Sequence, residues 1–382
     1  MKISLLQILT FLQLVLIVAV IVYLTVNMIY IVRLKPILKE LNNPPMISVC
    51  VPARNEERGI RLCLESLLGQ DYPHYEIIVV NDHSTDLTGQ LIREMAEKDP
   101  RLIAFDGEDL PKGWLGKPFA LYQAFQKSKG EILLFTDADP VFESHALRTA
   151  IFTMQQRNLD ALTLMPRVEF GSFWERAVQP TIFGFIGSLT RFRKVNSSNH
   201  KTAMGFGAFL MFKRSSYESI GGHEGGKADV LEDVLIAKRL KNAGLKLLAA
   251  DAKCLFSIRM YYGLHEIWTG WRKNIFLAMK GSIFRALYYI FMVLSFLLTP
   301  YLILGWNMAT GSDLIWLGLS LFGVLMVSAA TITTCDELGL NRLNACLFPI
   351  GALVMASIMI NSMIHIVIFS RVEWRGRVYS ME

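Results

Sequence analysis

The fold is decided by residues 131–140, which read EILLFTDADP. Residues 132–135 form a short apolar run of the length that buried strands prefer. Side chains two apart in extended chain point the same way, so Asp137 and Asp139 can face one spot beyond the strand. Pro140 ends the strand because it lacks a backbone N–H. Two such carboxylates suit a divalent cation that carries phosphate oxygens, although on this stretch alone a solvated acidic turn is the more common interpretation.

Alternating strands and helices precede this stretch. The predicted elements are strands at 47–51, 75–80 and 101–105 and helices at 61–68, 87–98 and 120–127. This alternation predicts a parallel sheet covered by helices, which binds its ligands beyond the carboxyl ends of the strands. The first two strands run into PARNEE at 52–57 and NDHSTD at 81–86. With the two aspartates, three polar clusters are therefore expected at one edge of the sheet.

The chain lacks the sequence motifs of other classes of nucleotide-binding and metal-binding protein. No Gly-x-Gly-x-x-Gly follows the first predicted strand, and no Gly-Lys-Ser/Thr of the Walker type occurs. There is no nucleic-acid-binding motif, and the basic residues near the apolar segments suit anionic lipid headgroups better than nucleic acid. The five cysteines show no paired spacing, so neither a disulfide framework nor a zinc site is expected.

With these motifs in place, the sequence resembles the family 2 glycosyltransferases. The matching motifs follow the family's order at 51–57, 80–86, 116–117, 136–139, 221–223 and 231–233. The similarity is greatest to membrane-bound bacterial members that glycosylate carotenoid acids or hopanoid-type lipids. The carotenoid-acid members share further stretches at 259–261, 270–271 and 372–377. The resemblance implies an α/β protein of the GT-A fold, with a Rossmann-like mixed sheet flanked by transmembrane helices, that binds a nucleotide sugar.

The resemblance also implies roles for individual residues. The nucleotide sugar would be bound by residues of the motifs, namely Pro52, Ala53, Arg54, Glu56, Asp82, Lys117, Asp137 and Ala138. Asp137 and Asp139 would in addition hold Mg²⁺ or Mn²⁺. For Arg54 and Glu56 the alternative is a surface ion pair of little energetic value. For Lys117 the alternative is a solvated loop lysine.

The motif at 231–233 contains the acidic pair Glu232-Asp233. Inverting sugar transfer needs a carboxylate that takes the proton of the acceptor hydroxyl, and the resemblance places this base at Asp233. The pair begins a predicted amphipathic helix at 230–242, so helix capping is the alternative, because acidic residues stabilise helix N-termini. Gly205 and Gly207 precede a predicted strand and would either let the backbone approach a ligand closely or form a β-bulge.

The two ends of the chain are apolar, and most charged residues lie between Arg33 and Arg285. Hydrophobic residues make up 52% of the sequence, which is high for an ordinary soluble protein. Residues 5–32 are long and apolar enough to cross a bilayer, and we expect a retained anchor because a signal peptide has a shorter apolar core. Basic residues follow directly at 33, 35 and 39. The positive-inside rule therefore predicts that the next domain faces the cytoplasm.

These features predict a multi-pass protein of the cell membrane. The expected division is an N-terminal anchor at 1–40, a cytoplasmic GT-A domain at 41–260, an interfacial amphipathic segment at 261–285, and a membrane region at 286–382 with spans at about 286–306, 314–334 and 346–369. Within the domain, the aromatic segment 170–190 suits either the membrane surface or the core. Four spans would place both chain ends outside the cytoplasm, which conflicts with the basic residues Arg371, Arg375 and Arg377 after the last span.

The combined interpretation is an inverting hexosyltransferase at the cytoplasmic face of the membrane. It would move a sugar from a nucleotide diphosphate sugar to a lipid acceptor. The Gln-x-x-Arg-Trp motif of processive family members is replaced by TGWRKN at 269–274, which argues against polymer synthesis. The alternatives are a nucleotidyltransferase, which needs a basic glycine-rich loop that 51–57 lacks, and a catalytically inactive membrane scaffold.

Overall fold

The computed structural model describes residues 4–39, 41–369, 371–374 and 377–380, with the backbone alone from residue 369 onward. The chain divides into two compact units. The sheet unit contains Tyr30–Glu169 and Arg191–Met260, and the helical unit contains Met1–Ile29, Phe170–Thr190 and Tyr261–Glu382. The segment 170–190, which its composition left between core and membrane surface, thus belongs to the helical unit. The residues from Tyr30 onward, predicted as part of the anchor, belong to the sheet unit.

The elements follow the predicted order. The strands are β1 Val32–Arg33, β2 Ile47–Ala53, β3 Tyr75–Asn81, β4 Leu102–Asp106, β5 Ile132–Phe135, β6 Val141–Phe142, β7 Ala161–Met165, β8 Arg167–Val168, β9 Leu210–Lys213, β10 Leu247–Asp251, β11 Phe256–Ile258, β12 Arg371–Trp374 and β13 Arg377–Ser380. The helices are α1 Leu5–Ile29, α2 Ile60–Leu68, α3 Thr88–Ala96, α4 Gly116–Lys127, α5 Ala146–Gln156, α6 Phe173–Leu189, α7 Phe192–Val195, α8 Arg214–Ser219, α9 Glu232–Asn242, α10 Leu264–Ala278, α11 Ile283–Leu297, α12 Thr299–Ala309, α13 Leu314–Glu337 and α14 Phe348–Phe369. The strand β5 occupies the predicted residues, whereas α4 begins at Gly116 rather than at residue 120.

Among the described residues, the main sheet has eight strands in the order β1-β10-β7-β9-β5-β2-β3-β4. Neighbouring strands are parallel except for β9, which runs antiparallel to β5 and β7. The chain enters β9 at the carboxyl edge, where Leu210 pairs with Phe135, and therefore runs back along β5. This mixed sheet confirms the predicted fold class. The wholly parallel sheet expected from the alternation of elements is wrong at β9.

Both faces of the central strands are covered, which explains their continuous apolar sequences. On β2, Val49 and Val51 belong to a core formed with α2, α3 and α5, whereas Cys50 belongs to the opposite layer with α4 and α9. The strands β2, β3 and β5 are parallel neighbours, so their carboxyl ends leave the sheet at the same edge. The three predicted polar clusters follow these ends.

Three segments of the helical unit are long and apolar enough to cross a membrane, counted over the described part of the chain: Leu5–Ile29, Leu314–Glu337 and Arg342–Ile368. They correspond to the first, third and fourth predicted spans. The second predicted span, 286–306, is not one helix, because α11 ends at Leu297 and α12 begins at Thr299. Pro300 explains the break, since proline lacks the N–H that a continuing helix needs and suits a first helical turn.

The predicted interfacial segment, 261–285, contains α10 and the start of α11. Its residues Trp271, Ile275 and Phe276 are buried in the helical unit, and the Trp268 Nε1–H donates to Asn361 Oδ1 on α14 at 3.3 Å. The helices α10 and α11 are bent by 117° and would count as a fourth, broken span if they cross together. A position at the membrane surface stays a prediction. Of the C-terminal motif at 372–377, residues 375 and 376 lie outside the described residues.

Candidate active site

The first part of the site is a pair of loops after β2 and β3. The Arg54 guanidinium donates to the carbonyl oxygen of Asp82 at 2.6 Å and to that of His83 at 3.2 Å. In return, the Asp82 N–H donates to the Ala53 carbonyl at 2.8 Å. Asn55 and His83 both have a φ of 53°, a left-handed conformation in which these residue types are enriched. Arg54 therefore joins two backbone turns, which a mere surface ion pair would not do.

Side chains hold the same loop pair from both directions. Asn55 Oδ1 accepts a hydrogen bond from the Thr85 N–H at 2.8 Å, and Thr88 Oγ1 accepts one from the Glu56 N–H at 2.7 Å. Asp82 is buried, and its Oδ1 lies 3.4 Å from His83 Nδ1. The structure thus brings together five residues predicted to bind the nucleotide: Pro52, Ala53, Arg54, Glu56 and Asp82. Their contact with a nucleotide stays a prediction.

The second part of the site is a charged cluster formed by Lys117, Asp137, Glu232 and Asp233. Lys117 is the second residue of α4, and its Nζ lies 2.6 Å from Asp137 Oδ1 and 2.8 Å from Glu232 Oε1. Its side chain is only 21% exposed. The alternative of a solvated loop lysine is therefore wrong. Lys117 instead joins the end of β5 to the start of α9.

Gly207 lies against this cluster, and a Cβ at this position would meet its charged atoms. A Cβ at this position would lie 2.9 Å from Lys117 Nζ and 3.5 Å from both Asp137 Oδ2 and Asp233 Oδ2. A Cβ at Gly205 would lie 2.2 Å from the backbone oxygen of Asp233. The two glycines thus let the backbone before β9 approach the charged cluster, whereas the close approach to a ligand stays a prediction.

Asp233 is the second residue of α9, and its surroundings support both of its predicted roles. Its Oδ1 accepts a hydrogen bond from the Val234 N–H at 2.8 Å, which satisfies one free donor of the first helical turn. Its other oxygen, Oδ2, is directed toward Gly207 and the cluster. The preceding residue Glu232 is buried and directed onto Lys117. A base role for Asp233 is therefore compatible with its contact to the helix N-terminus.

Electrostatics distinguish the two groups that matter most in the cluster. Burial would lower the pKa of Lys117, but the nearby Asp137, Glu232 and Asp233 outweigh it and raise the pKa well above its ordinary value, so the ammonium stays charged. Burial, followed by the Glu232 charge, raises the pKa of Asp233 to about 7, although Lys117 opposes the shift. Asp233 is thus a carboxyl group that changes its protonation near neutral pH.

The remaining predicted residues follow β5. Ala138 is buried, and the Asp139 backbone packs on Gly59, where a Cβ would lie 3.4 Å from the Asp139 Cα. The Thr136 hydroxyl donates to the Ala208 carbonyl at 2.7 Å, which ties the end of β5 to the glycine segment. The convergence of the two aspartates on one spot stays a prediction.

Two buried residues near the cluster were missed as site residues. Glu232 is the first of them, and its position beside the predicted base Asp233 was the signal that the sequence offered. His223 follows the Gly221-Gly222 motif, is buried, and lies 2.7 Å through Nδ1 from the Tyr217 hydroxyl. Burial and the Lys117 charge lower its pKa to about 3, so His223 is neutral and packs edge-on against the Phe135 ring. His223 thus contacts the last residue of β5.

Comparison with known proteins identifies the region that carries the loop pair, Lys117 and Asp137, whereas Glu232 and Asp233 lie beyond it. Residues 48–221 match the family model described as glycosyl transferase family 2. The relatives include 4,4'-diaponeurosporenoate glycosyltransferases of Staphylococcus haemolyticus, 27% identical over 233 residues, and of Staphylococcus aureus, 26% identical over 253 residues. The aligned regions span 60% of both chains in the first case and 64% of both in the second. The match thus covers less than two thirds of these relatives' length.

A solved structure resembles the chain over most of its length. It is a mannosyltransferase from Pyrobaculum calidifontis in complex with GDP-Man and Mn²⁺. The two proteins are 18% identical and superpose with a TM-score of 0.57, over 94% of this chain and 98% of the other. This likeness supports the GT-A fold.

Proposed function

We propose that the chain, whose residues 48–221 match the family model described as glycosyl transferase family 2, is an inverting glycosyltransferase that moves a sugar from a nucleotide diphosphate sugar to a lipid acceptor. The observation that carries the proposal is the position of Asp233 in the charged cluster. Asp233 Oδ2 and Lys117 Nζ both border Gly207, and Lys117 contacts Asp137. A base candidate, a cation and a metal-ligand candidate thus lie at one end of the sheet, as displacement of a diphosphate requires.

The donor would lie across both parts of the site. The loop pair around Arg54 and Asp82 would hold the nucleotide, and the end of β5 would hold the diphosphate through Asp137 and Ala138. This arrangement follows the general rule that ligands of such sheets bind beyond the carboxyl ends of the strands. Lys117 is suited to the diphosphate because its ammonium group combines a positive charge with three hydrogen-bond donors at the end of a flexible side chain.

The residues after β5 fit a divalent cation that the donor helps to bind. Among the described residues, no three His, Cys, Asp or Glu side chains form a complete metal site. Asp137 and Asp139 would therefore share Mg²⁺ or Mn²⁺ with phosphate oxygens, an arrangement that Mg²⁺ favours. The Asp137 side chain is 37% exposed and offers hard oxygen ligands. A bound ion would neutralise charge on the departing diphosphate.

The chain's own residues would then assist one displacement. The acceptor hydroxyl oxygen attacks the anomeric carbon, while the bond to the diphosphate breaks and its electron pair leaves with the nucleoside diphosphate. Asp233 takes the hydroxyl proton. Its raised pKa suits this task, because a base is most effective when its pKa lies near the working pH. Lys117 neutralises part of the charge on the leaving group.

The acceptor class is proposed from the relatives and from the helical unit. The staphylococcal relatives are named for 4,4'-diaponeurosporenoate, an apolar carboxylate, and this chain carries three helices apolar enough to span a membrane within its described residues. A carboxylate acceptor is already ionised at neutral pH and needs no base, whereas a hydroxyl acceptor does. The dependence of transfer on Asp233 therefore reports which acceptor chemistry the enzyme uses.

The test is transfer from labelled nucleotide sugars to a membrane lipid extract by the full chain in detergent. We expect labelled lipid and release of nucleoside diphosphate. Release of pyrophosphate would instead identify a nucleotidyltransferase, and no turnover with any common donor would favour an inactive scaffold. Asp233→Asn separates acceptor classes, since it should slow transfer to hydroxyl lipids at least about a hundredfold and leave transfer to carboxylate lipids largely intact.

We also propose that the sheet unit faces the cytoplasm, and the helix pattern supports a revised topology. The chain would cross the membrane three times. The helix α1 would enter the cytoplasm, α13 would leave it, and the segment 342–368 would return to it. The basic residues Arg371, Arg375 and Arg377 would then lie in the cytoplasm, as the positive-inside rule prefers. The conflict that arises with four spans is thereby removed.

Cysteine labelling in intact cells tests this topology. Cys63 is unsuitable as a probe because it is fully buried. In a Cys346→Ser background, we expect a membrane-impermeant maleimide to label Asn341→Cys before lysis and Lys129→Cys only after lysis, since both positions are exposed. Labelling of Lys129→Cys in intact cells would place the sheet unit outside. Protection of both positions would favour the fourth, broken span.

A further inference from the structure

We propose that Lys117 competes with the divalent cation for Asp137, so that the metal binds well only together with the nucleotide diphosphate. The inference rests on the proposed function of the charged cluster and adds an order to its ligands. In this role Lys117 is more than a phosphate contact, because its ammonium is the internal counter-ion of a metal ligand.

The first argument is that Lys117 occupies a carboxylate that the metal needs. Its Nζ lies 2.6 Å from Asp137 Oδ1, the distance of a charge-assisted hydrogen bond. An ammonium and a divalent cation repel each other, so both cannot lie this close to one carboxylate without a large electrostatic cost. Metal binding at Asp137 therefore has to weaken or displace the contact with Lys117.

The second argument is that the rest of the cluster holds Lys117 in this position. Glu232 Oε1 lies 2.8 Å from Nζ, and the Glu232 side chain is only 9% exposed. Gly207 closes another side, since even a Cβ there would lie 2.9 Å from Nζ. A buried ion pair of this kind resists the loss of one partner, because the other charge would remain uncompensated.

The third argument concerns what a diphosphate would change. Its oxygens bring new negative charge and new acceptors for the three ammonium donors. Lys117 can then exchange Asp137 for phosphate while it keeps Glu232 as its anchor. Asp137 becomes available to the metal at the moment when phosphate oxygens complete the metal's ligand set. The chain would thereby avoid binding a metal ion without its donor.

The experiment measures Mn²⁺ binding to the full chain in detergent by electron paramagnetic resonance. Titrations are made with Mn²⁺ alone and with UDP or GDP, whichever the wild-type protein binds, after correction for the complex of Mn²⁺ with free nucleotide. Lys117→Met is compared with Lys127→Met, which removes the same charge from the exposed far end of α4. The ratio of the two Mn²⁺ affinities gives the coupling between metal and nucleotide.

We expect Lys117→Met to bind Mn²⁺ alone at least about tenfold more tightly, the worth of one charge-assisted hydrogen bond, and to show weaker coupling than wild type. Lys127→Met should change Mn²⁺ affinity by less than about twofold, since exposed distant charges are screened. An unchanged or weaker Mn²⁺ affinity in Lys117→Met would overturn the inference. So would tighter binding with unchanged coupling, which a purely long-range charge effect predicts.

Two further variants guard against a folding defect. Lys117→Gln removes the charge with a polar side chain and should behave like Lys117→Met, whereas Lys117→Arg keeps a cation and should retain weak binding of Mn²⁺ alone. Failure of the proposed function has a different signature. A wild-type chain that binds neither nucleotide nor Mn²⁺ and transfers no sugar refutes both statements. A wild-type chain that does all three, without the effect in Lys117→Met, refutes only the competition.

Discussion

The loop pair and the charged cluster lie at the same edge of one sheet, yet they are stabilised in different ways. In the loop pair, Arg54 and Asn55 bind backbone groups of the neighbouring turn, so each side chain has partners whose positions the strands determine. In the charged cluster, Lys117, Asp137 and Glu232 come from three separate elements and depend on one another's charge. The comparison teaches that hydrogen bonds to a fixed backbone stabilise the loop pair, whereas the balance of opposite charges stabilises the charged cluster.

The energetic cost of a substitution is expected to differ between the loop pair and the charged cluster. A hydrogen bond that involves one charged partner contributes about 1.5–3 kcal/mol. Removal of one partner from a buried ion pair costs about 3–5 kcal/mol, because the other charge is left in a poorly solvated place. Substitutions that remove a charge from the cluster should therefore affect the protein more than similar substitutions in the loop pair.

The largest effect is expected for the metal ligands. Asp139→Ala and excess chelator should each reduce sugar transfer below detection, and Mn²⁺ or Mg²⁺ should restore the chelated wild type but not the variant. Asp106→Ala is the matched control, since Asp106 also ends a parallel strand at this edge, β4. The measurement is transfer of labelled sugar. Full activity in excess chelator would leave the two aspartates with a structural role only.

The next effect concerns Asp233. With a hydroxyl acceptor, Asp233→Asn should slow transfer at least about a hundredfold, because asparagine cannot take a proton. Nucleotide binding should stay near normal, since the contacts of the loop pair are unchanged, and asparagine remains an acceptable residue at a helix start. The exposed Asp229→Asn is the control on the preceding loop. Near-normal transfer by a folded Asp233→Asn would make Glu232 the next candidate base.

A smaller effect is expected from pH. Transfer to a hydroxyl acceptor should rise about tenfold per pH unit below pH 7 and level off above it, because the raised pKa of Asp233 keeps the base protonated at lower pH. Lys117 does not lose its charge in this range, since its own pKa is raised. In Glu232→Gln the midpoint should move to lower pH, because the neighbouring negative charge is absent. If Glu232→Gln leaves the midpoint of the pH–rate profile unchanged, the profile does not report the titration of Asp233 in the charged cluster.

The smallest effect is expected in the loop pair. Arg54→Met should raise the KM for the donor by about tenfold, the low end of the cost of losing the charge-assisted contacts to the Asp82 and His83 carbonyls, and should change kcat little. Arg58→Met, at an exposed position after the same strand, is the control. Steady-state kinetics separates the two constants. A loss of kcat as large as that of Asp233→Asn would show that the two regions are not distinct in the way described.

Much of the loop pair and of the fold could be predicted from the sequence. The predicted strands ended at the observed residue in β5, one residue early in β3 and two residues early in β2. The agreement is this close because both faces of these strands are buried and the polar residues begin where burial ends. The charged cluster was predicted only in part. Lys117 and Asp137 were identified as site residues, but their ion pair and the contact of Lys117 with Glu232 were not, because residues 117, 137 and 232 become neighbours only when α4, β5 and α9 pack together.

By itself, the sequence determined the order of strands and helices, the apolar spans and the identity of the strand-end residues, since each depends on a short local pattern. Only the tertiary structure decided the direction of β9, the unit to which 170–190 belongs and the ion pairs of Lys117. These features depend on contacts between residues far apart in the chain, which no local pattern records. The break before Pro300 lies between the two cases, because a proline marks a possible helix end and packing decides whether it is used.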